Sequence, residues 1–167
     1  MTRPHYSLVH ITVEVGDSRN SDCPAEIAVP HTLVGREYQA MQTAELLKGD
    51  GMGSLLAFGV CGLDGRMCLD VRSGAVVHVP TVSQSDVNPA NSSLDKFLRC
   101  VEAVVSRFPF YGIDADGDET DRIAAELSEE LAEIDPETQA FNGFWETFLD
   151  DLAMGNYATE SVLAWDE

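Results

Sequence analysis

The sequence has few basic residues and no long uncharged stretch. Its 167 residues include 10 Lys and Arg against 29 Asp and Glu, which gives a formal net charge of −19. Because proteins bind nucleic acids and anionic membrane surfaces through Lys and Arg side chains, this imbalance argues against both partners. The longest uncharged run has 13 residues, whereas a membrane-spanning helix needs about 20 apolar residues. We therefore expect a chain that binds neither nucleic acid nor membrane.

A secretory signal and a disulfide framework are also lacking. The N-terminal residues contain no apolar core followed by a small-residue cleavage site, so we expect a cytoplasmic protein. No two of the four cysteines form a C-x-x-C pair: Cys23, Cys61, Cys68 and Cys100. Cytoplasmic thiols stay reduced, and a free cysteine usually behaves as a small buried hydrophobic residue. We expect a structural role for these cysteines.

Motifs for catalysis and for cofactor binding are missing as well. The sequence has no G-x-S-x-G nucleophile elbow, and its glycine-rich residues 49–54 lack the lysine of a phosphate-binding loop. The four histidines lie in separate segments without the i, i+4 spacing of a helical zinc pair. These absences argue against nucleophilic catalysis and predict that the chain has no cofactor. Acid–base catalysis by paired carboxylates stays open, since 29 acidic residues always offer some plausible pair.

A cluster of aspartates around Gly117 resembles a cation-binding loop. Its members are Asp114, Asp116, Asp118 and Asp121. Hard cations bind several carboxylates on a sharply turning loop, but the spacing does not fit a calcium loop. With Asp114 at position 1, position 12 is Ala125 instead of the bidentate glutamate. We therefore predict no metal site and interpret these carboxylates as the solvated entry to a helix.

The composition fits one globular domain over residues 1–167. Hydrophobic residues make up 44% and charged residues 23%, as in ordinary folded proteins. The charge is uneven, because residues 114–167 contain 17 acidic residues and a single basic one, Arg122. Such a segment is either a docking surface for a basic partner or a solvated face that keeps the protein soluble.

Alternating hydrophobic residues predict strands in the first half of the chain. Residues 6–15 are predicted as a half-buried strand, and 25–29 as a short edge strand within a loop over 16–30. Good helix formers over 37–48, followed by glycine, predict a helix. Three closely spaced strands are then predicted over 55–61, 66–71 and 75–80. Their Asp-Gly and Ser-Gly turns favour an antiparallel meander.

Helical periodicity predicts a different architecture for the second half. A capping box at Ser92 and Asp95 opens a helix that ends at Phe108, before Pro109. An acidic turn over 113–121 is followed by predicted helices over 122–134 and 138–154. The remaining residues, 156–167, are predicted to be a mobile tail. The fold class predicted from these elements is α+β, with an antiparallel meander sheet, helices packed around it and a helical C-terminal part.

Several short motifs follow one another between Leu55 and Gly155. They are LLAFGVCGLDG, RMCLDV, the Ser73-Gly74-Ala75-Val76 turn, Asn91-Ser92-Ser93-Leu94 leading into Phe97-Leu98, and Trp145 with Phe148-Leu149. In this order they resemble the SUKH superfamily of bacterial immunity proteins, in particular its fourth subfamily. The resemblance implies an α+β fold without catalysis. From the chemistry of these residues we expect most of them to act in the fold: Gly74 supplies a backbone angle, Asn91 or Ser92 caps a helix, and Phe97, Trp145 and Phe148 lie in the core.

The resemblance also implies a function for the acidic segment. Members of the superfamily are typically encoded beside a polymorphic toxin, often a nuclease or a nucleic-acid deaminase, and neutralise it by binding. Enzymes that act on nucleic acids have basic surfaces, which an acidic face can attract and cover. We therefore expect a cognate, basic toxin domain as partner, bound through Asp114, Asp116, Asp118, Glu119 and Asp121. The alternatives are a regulatory or scaffolding module of the same fold with a cellular partner, and a metal-dependent enzyme that uses the acidic loop.

Overall fold

The fold is a mixed seven-stranded sheet with helices against it. The structure is a computed structural model that describes residues 3–14, 23–48, 54–63, 65–81 and 87–165. The strands within these ranges are β1 Leu8–Glu14, β2 Glu26–Pro30, β3 Gln39–Leu46, β4 Leu55–Cys61, β5 Gly65–Asp70, β6 Val76–Pro80 and β7 Asn88–Asn91. The α-helices are α1 Leu94–Arg107, α2 Gly117–Ile134, α3 Phe144–Ala153 and α4 Thr159–Ala164, and short 3-10 helices cover Val34–Arg36 and Pro136–Gln139. The α+β class is confirmed.

The first two strands follow their sequence pattern. In β1 the side chains of Ile11 and Val13 are buried, while His10 and Thr12 are exposed. This alternation arises because only one face of the sheet edge packs against the core. The short strand β2 lies at the edge of the sheet, as predicted, and pairs with β1 in antiparallel register.

The predicted helix over residues 37–48 is wrong, because this segment forms β3. The strand pairs with β1 on one side and with β4 on the other, so its backbone groups find partners in the sheet. Tyr38, directly before β3, and Ala44, within it, are fully buried. The residues here are good helix formers, but helix propensity is a weak preference that tertiary contacts override.

The prediction of a purely antiparallel sheet also needs correction. β1 and β3 are parallel, with Thr12 opposite Thr43. The sheet order is β2-β1-β3-β4-β5-β6-β7, so the chain forms β2 on the outer side of β1 and then crosses to place β3 on the inner side. The predicted antiparallel meander is confirmed for β4, β5 and β6. Antiparallel pairs also join β3 to β4 and β6 to β7. The last of these strands, β7, was not predicted, since its sequence NPAN has no strand pattern.

The helix boundaries differ from the predicted ones at their N-termini. The N-cap of α1 is Ser93, whose side chain accepts a hydrogen bond from the Lys96 N–H at 3.2 Å, so the predicted cap at Ser92 is wrong. Helix α2 starts at Gly117 within the predicted acidic turn, and α3 starts at Phe144 after the 3-10 helix.

A short helix replaces the predicted tail at the C-terminal end. Residues Thr159–Ala164 form α4, and its Val162 side chain is buried in the core. The Thr159 N–H donates to the Tyr111 carbonyl oxygen at 3.0 Å, which joins the start of α4 to the segment that follows α1. This contact between distant segments is invisible in the local sequence pattern.

The main core lies between one face of the sheet and the helices. Fully buried members include Leu56 and Phe58 of β4, Phe97 of α1 and Trp145 of α3. The other face of β4, β5 and β6 carries a smaller buried cluster: Leu55, Ala57, Cys68 and Val79. Successive residues of β4 therefore belong to different clusters, because successive strand side chains point to opposite faces.

The cysteines are free thiols, as predicted. Cys61, Cys68 and Cys100 are buried, and Cys23 is half-buried. Burial raises the pKa of Cys68 to about 12 and that of Cys100 to about 11. Since the thiolate is the nucleophilic form, thiols in this environment are unreactive near neutral pH.

A buried hydrogen-bond network around Asp135 joins the sheet to three helices. One carboxylate oxygen accepts from the Asn91 amide at 3.0 Å and from the Ser92 N–H at 2.8 Å. The other accepts from the Ser92 hydroxyl at 3.0 Å and from the Glu137 N–H at 3.2 Å. The amide oxygen of Asn91 accepts in turn from the Trp145 indole N–H at 2.8 Å. Asn91 and Ser92 thus bind Asp135 instead of capping α1.

The network lowers the pKa of Asp135. Burial alone raises this pKa, but the hydrogen bonds from Ser92, Asn91 and Glu137 outweigh burial and bring it below its ordinary value. A carboxyl group with a lowered pKa in the folded state stabilises the fold above its unfolded pKa of about 3.9. That contribution is lost as the pH falls through the folded pKa.

We predict that Asp135→Asn lowers the free energy of unfolding at pH 7 by about 1 to 3 kcal/mol, because the amide group cannot accept all four hydrogen bonds. The difference from the unmutated protein should shrink as the pH falls below the unfolded pKa of about 3.9 and through the lowered pKa of the folded wild-type carboxyl group. Urea unfolding over this pH range measures both effects, with the exposed Asp114→Asn as the control for losing one carboxylate. A difference that stays constant with pH would contradict the assignment.

We also predict that Trp145→Ala lowers the free energy of unfolding by about 3 to 5 kcal/mol, since the indole is fully buried. The substitution leaves a cavity and removes the hydrogen bond to Asn91. Thermal or urea unfolding measures the loss. Phe141→Ala is the matched control, because the Phe141 side chain is 81% exposed and its removal should change stability little.

Candidate partner-binding surface

The acidic cluster predicted from the sequence lies between the end of α1 and the first turns of α2. We use this name for Asp114, Asp116, Asp118, Glu119 and Asp121. All five side chains are exposed. The first two precede α2, and the other three belong to it, so the cluster is more ordered than the predicted acidic turn.

One member of the cluster has a structural role. Asp116 is the N-cap of α2, and its carboxylate accepts a hydrogen bond from the Glu119 N–H at 2.9 Å. Asp118 and Glu119 lie in the first turn, where negative side chains interact favourably with the positive end of the helix dipole. The helix therefore helps to hold several carboxylates close together at one exposed end.

The basic residues near α2 are bound to other carboxylates. Arg107 of α1 forms ion pairs with Glu126 at 3.1 Å and with Glu130 at 3.2 Å, and Arg122 forms one with Glu126 at 2.9 Å. The hydrogen bond with Arg107, and then that with Arg122, lowers the pKa of Glu126. In the part of the chain that the structure describes, no ion pair includes a member of the acidic cluster. The negative charge of the cluster is therefore not compensated by an ion pair within these residues.

Two exposed apolar side chains belong to the same end of the molecule. Ile113 is 64% exposed, and its N–H donates to the Glu160 carboxylate at 2.9 Å. Met154 is 69% exposed and follows Ala153, whose carbonyl oxygen accepts from the Thr120 hydroxyl of α2 at 2.7 Å. The end of α3 and the start of α4 thus adjoin the start of α2. Sequence reasoning missed these apolar residues, since each belongs to a segment whose pattern gives no sign of this contact.

The described residues contain no group of three or more His, Cys, Asp or Glu side chains arranged to hold a metal ion. None of the described helices has the length and apolar character that crossing a bilayer requires.

Comparison with known proteins assigns the chain to a family. The family model described as SUKH-4 immunity protein matches residues 25–151. The match covers more than half of the chain and includes the acidic cluster, the Asp135 network and Trp145. It also extends to β2 and β3, N-terminal to the motifs that carry the resemblance in sequence. No curated protein and no solved structure matches the chain.

We predict that the members of the acidic cluster differ in their effect on stability. Asp116→Ala should lower the free energy of unfolding by about 1 kcal/mol, because it removes the N-cap hydrogen bond of α2. Asp114→Ala, which removes an exposed carboxylate before the helix, should change it by less than about 0.5 kcal/mol. Urea unfolding of both variants measures the difference, and equal effects would contradict the role of Asp116 as a cap.

Proposed function

Since the chain belongs to the SUKH-4 immunity protein family, we propose that it neutralises a cognate toxin by binding to it, and that the acidic cluster attracts this partner. The toxin is a polymorphic toxin of the nuclease or nucleic-acid deaminase class, with a basic surface around its active site. Immunity proteins of this kind are generally non-catalytic. Protection then comes from covering the active site of the toxin rather than from a reaction carried out by this chain.

The observation that carries the proposal is the exposed acidic cluster without an ion pair among the described residues. Exposed charges on one side of a protein create a field that attracts an oppositely charged partner and raises the association rate by about 10- to 1000-fold. A nucleic-acid enzyme needs basic side chains to bind its phosphate-rich substrate. The same basic surface is complementary to a rigid group of carboxylates at a helix end.

The adjoining apolar side chains support binding at this end of the molecule. Ile113 and Met154 are large, exposed and close to the carboxylates through the contacts of α2 with α3 and α4. Charged groups set the rate and orientation of association, whereas buried apolar side chains supply much of the affinity. The surface combines both kinds of group.

The test is to reverse the charge of three members of the cluster: Asp114→Lys, Asp118→Lys and Asp121→Lys. Asp116 is left unchanged because it caps α2. The association rate with the toxin domain encoded beside this chain should fall by about tenfold, and its dependence on salt concentration should become flatter. Stopped-flow or surface plasmon resonance measurements over a range of salt concentrations give both quantities.

A matched control changes the net charge equally at exposed positions elsewhere: Glu45→Lys, Asp95→Lys and Glu102→Lys. Asp95 lies in the first turn of α1, as Asp118 does in α2, so both triple variants disturb one helix dipole. Equal association rates of the two triple variants would exclude the acidic cluster as the steering surface. If the unmutated chain does not bind the toxin domain, an immunity role is contradicted, and a regulatory or scaffolding role with a cellular partner becomes the better hypothesis.

A further inference from the structure

A second surface feature lies at the opposite end of α3 from the acidic cluster. It is a pocket of about 190 Å³ between the sheet and the start of α3. The sheet contributes His78 and Asn88, and the turn after β4 contributes Gly62. Helix α3 and the turn before it contribute Asn142, Phe144 and Phe148. Helix α3 has 10 residues, which span about 15 Å. The acidic cluster adjoins the C-terminal end of this helix, so the two features are separate surfaces.

Two large and strongly exposed apolar side chains are the sequence neighbours of pocket residues. Leu63 is 98% exposed and follows the pocket residue Gly62, and Phe141 is 81% exposed and precedes the pocket residue Asn142. These are the two most exposed large hydrophobic side chains in the described ranges. Exposed hydrophobic groups around a concave site mark interaction surfaces more often than the scattered apolar residues of an ordinary surface do.

The chemistry of the pocket wall suits a positively charged side chain. Glu37, an acidic residue, is among its lining residues, and the described residues that line it include no Lys or Arg. Burial lowers the pKa of His78, so its imidazole is neutral at pH 7. The aromatic rings of Phe144 and Phe148 also line the pocket, and aromatic faces attract the guanidinium of Arg or the ammonium of Lys.

The backbone beside Phe141 is held in an unusual conformation. Asn142 has a φ of 56°, in the left-handed region that non-glycine residues seldom adopt. Its N–H donates to the Glu146 carboxylate in the first turn of α3. Together the turn and the helix keep Phe141 in solvent beside the pocket, so no large rearrangement is required to contact a partner.

We infer that this pocket receives a basic side chain of the toxin while Phe141 and Leu63 pack on the apolar surface around it. The inference rests on the proposed function, because the toxin is the partner. The pocket then slows dissociation of the complex, whereas the acidic cluster speeds its association. A basic partner surface extended enough to contact both features would be held at the two ends of α3.

The test measures dissociation of the complex with the toxin domain encoded beside this chain. Phe141→Ala and Leu63→Ala should each raise the dissociation rate by about tenfold or more, as expected for anchor residues at the centre of an interface. Glu37→Gln should raise it by about tenfold, because the basic side chain of the toxin would lose its carboxylate partner. The association rate and its salt dependence should stay close to those of the unmutated chain, unlike in the acidic-cluster variant. Leu8→Ala is the matched control, since Leu8 is also exposed but lies on β1.

The possible results separate the role of the pocket from the immunity role of the chain. If the unmutated chain binds the toxin domain and Phe141→Ala and Leu63→Ala dissociate no faster than Leu8→Ala, the pocket is not an anchor, although the immunity role stands. Faster dissociation for Phe141→Ala with no effect of Glu37→Gln would exclude a basic side chain as the occupant of the pocket. A chain that is dimeric alone and becomes monomeric on Phe141→Ala would assign the pocket to a second copy of itself. No binding by the unmutated chain would contradict the immunity role and this inference together.

Discussion

The arrangement of the helices depends on the hydrogen bonds that the buried carboxylate of Asp135 accepts. A buried charge is tolerated only when hydrogen bonds replace the water it has lost. Here four donors do so, and they come from Asn91 of the last strand, from Ser92 before the N-cap of α1, and from the 3-10 helix after α2. Asn91 extends the network to Trp145, whose indole is buried in the core. The end of α2 and the start of α3 therefore have one position relative to the sheet.

That constraint also positions both candidate binding surfaces. Because α2 is fixed by Asp135 at its C-terminal end and by ion pairs from Arg107 along its length, the acidic cluster at its N-terminal end has a defined place. The pocket beside Phe141 lies at the start of α3, where Trp145 joins the helix to the same network. An immunity protein gains from such rigidity, since a preorganised surface loses little entropy on binding.

The two surfaces suit different stages of complex formation. Exposed carboxylates act over a distance of about 8 Å at physiological salt, and so would influence the encounter with the proposed basic partner. Exposed apolar side chains around a pocket act only in contact, and so influence how long the complex lasts. A protein that neutralises a toxin by binding benefits from fast association and slow dissociation. The two proposed surfaces would provide these properties at opposite ends of α3.

Local pattern was enough to predict the antiparallel meander, the apolar faces of α1 and α2, the family and the exposure of the acidic cluster. These features depend on residue periodicity, turn chemistry and the motif order around Asn91 and Trp145, all of which are properties of short segments. Long-range contacts decided the rest: residues Gln39–Leu46 became a strand because β1 and β4 supply its hydrogen-bond partners. Likewise, Asn91 and Asp135 are 44 residues apart in sequence and meet only in the folded chain. The pocket beside Phe141 exists for the same reason, since it forms only when α3 packs against the end of the sheet.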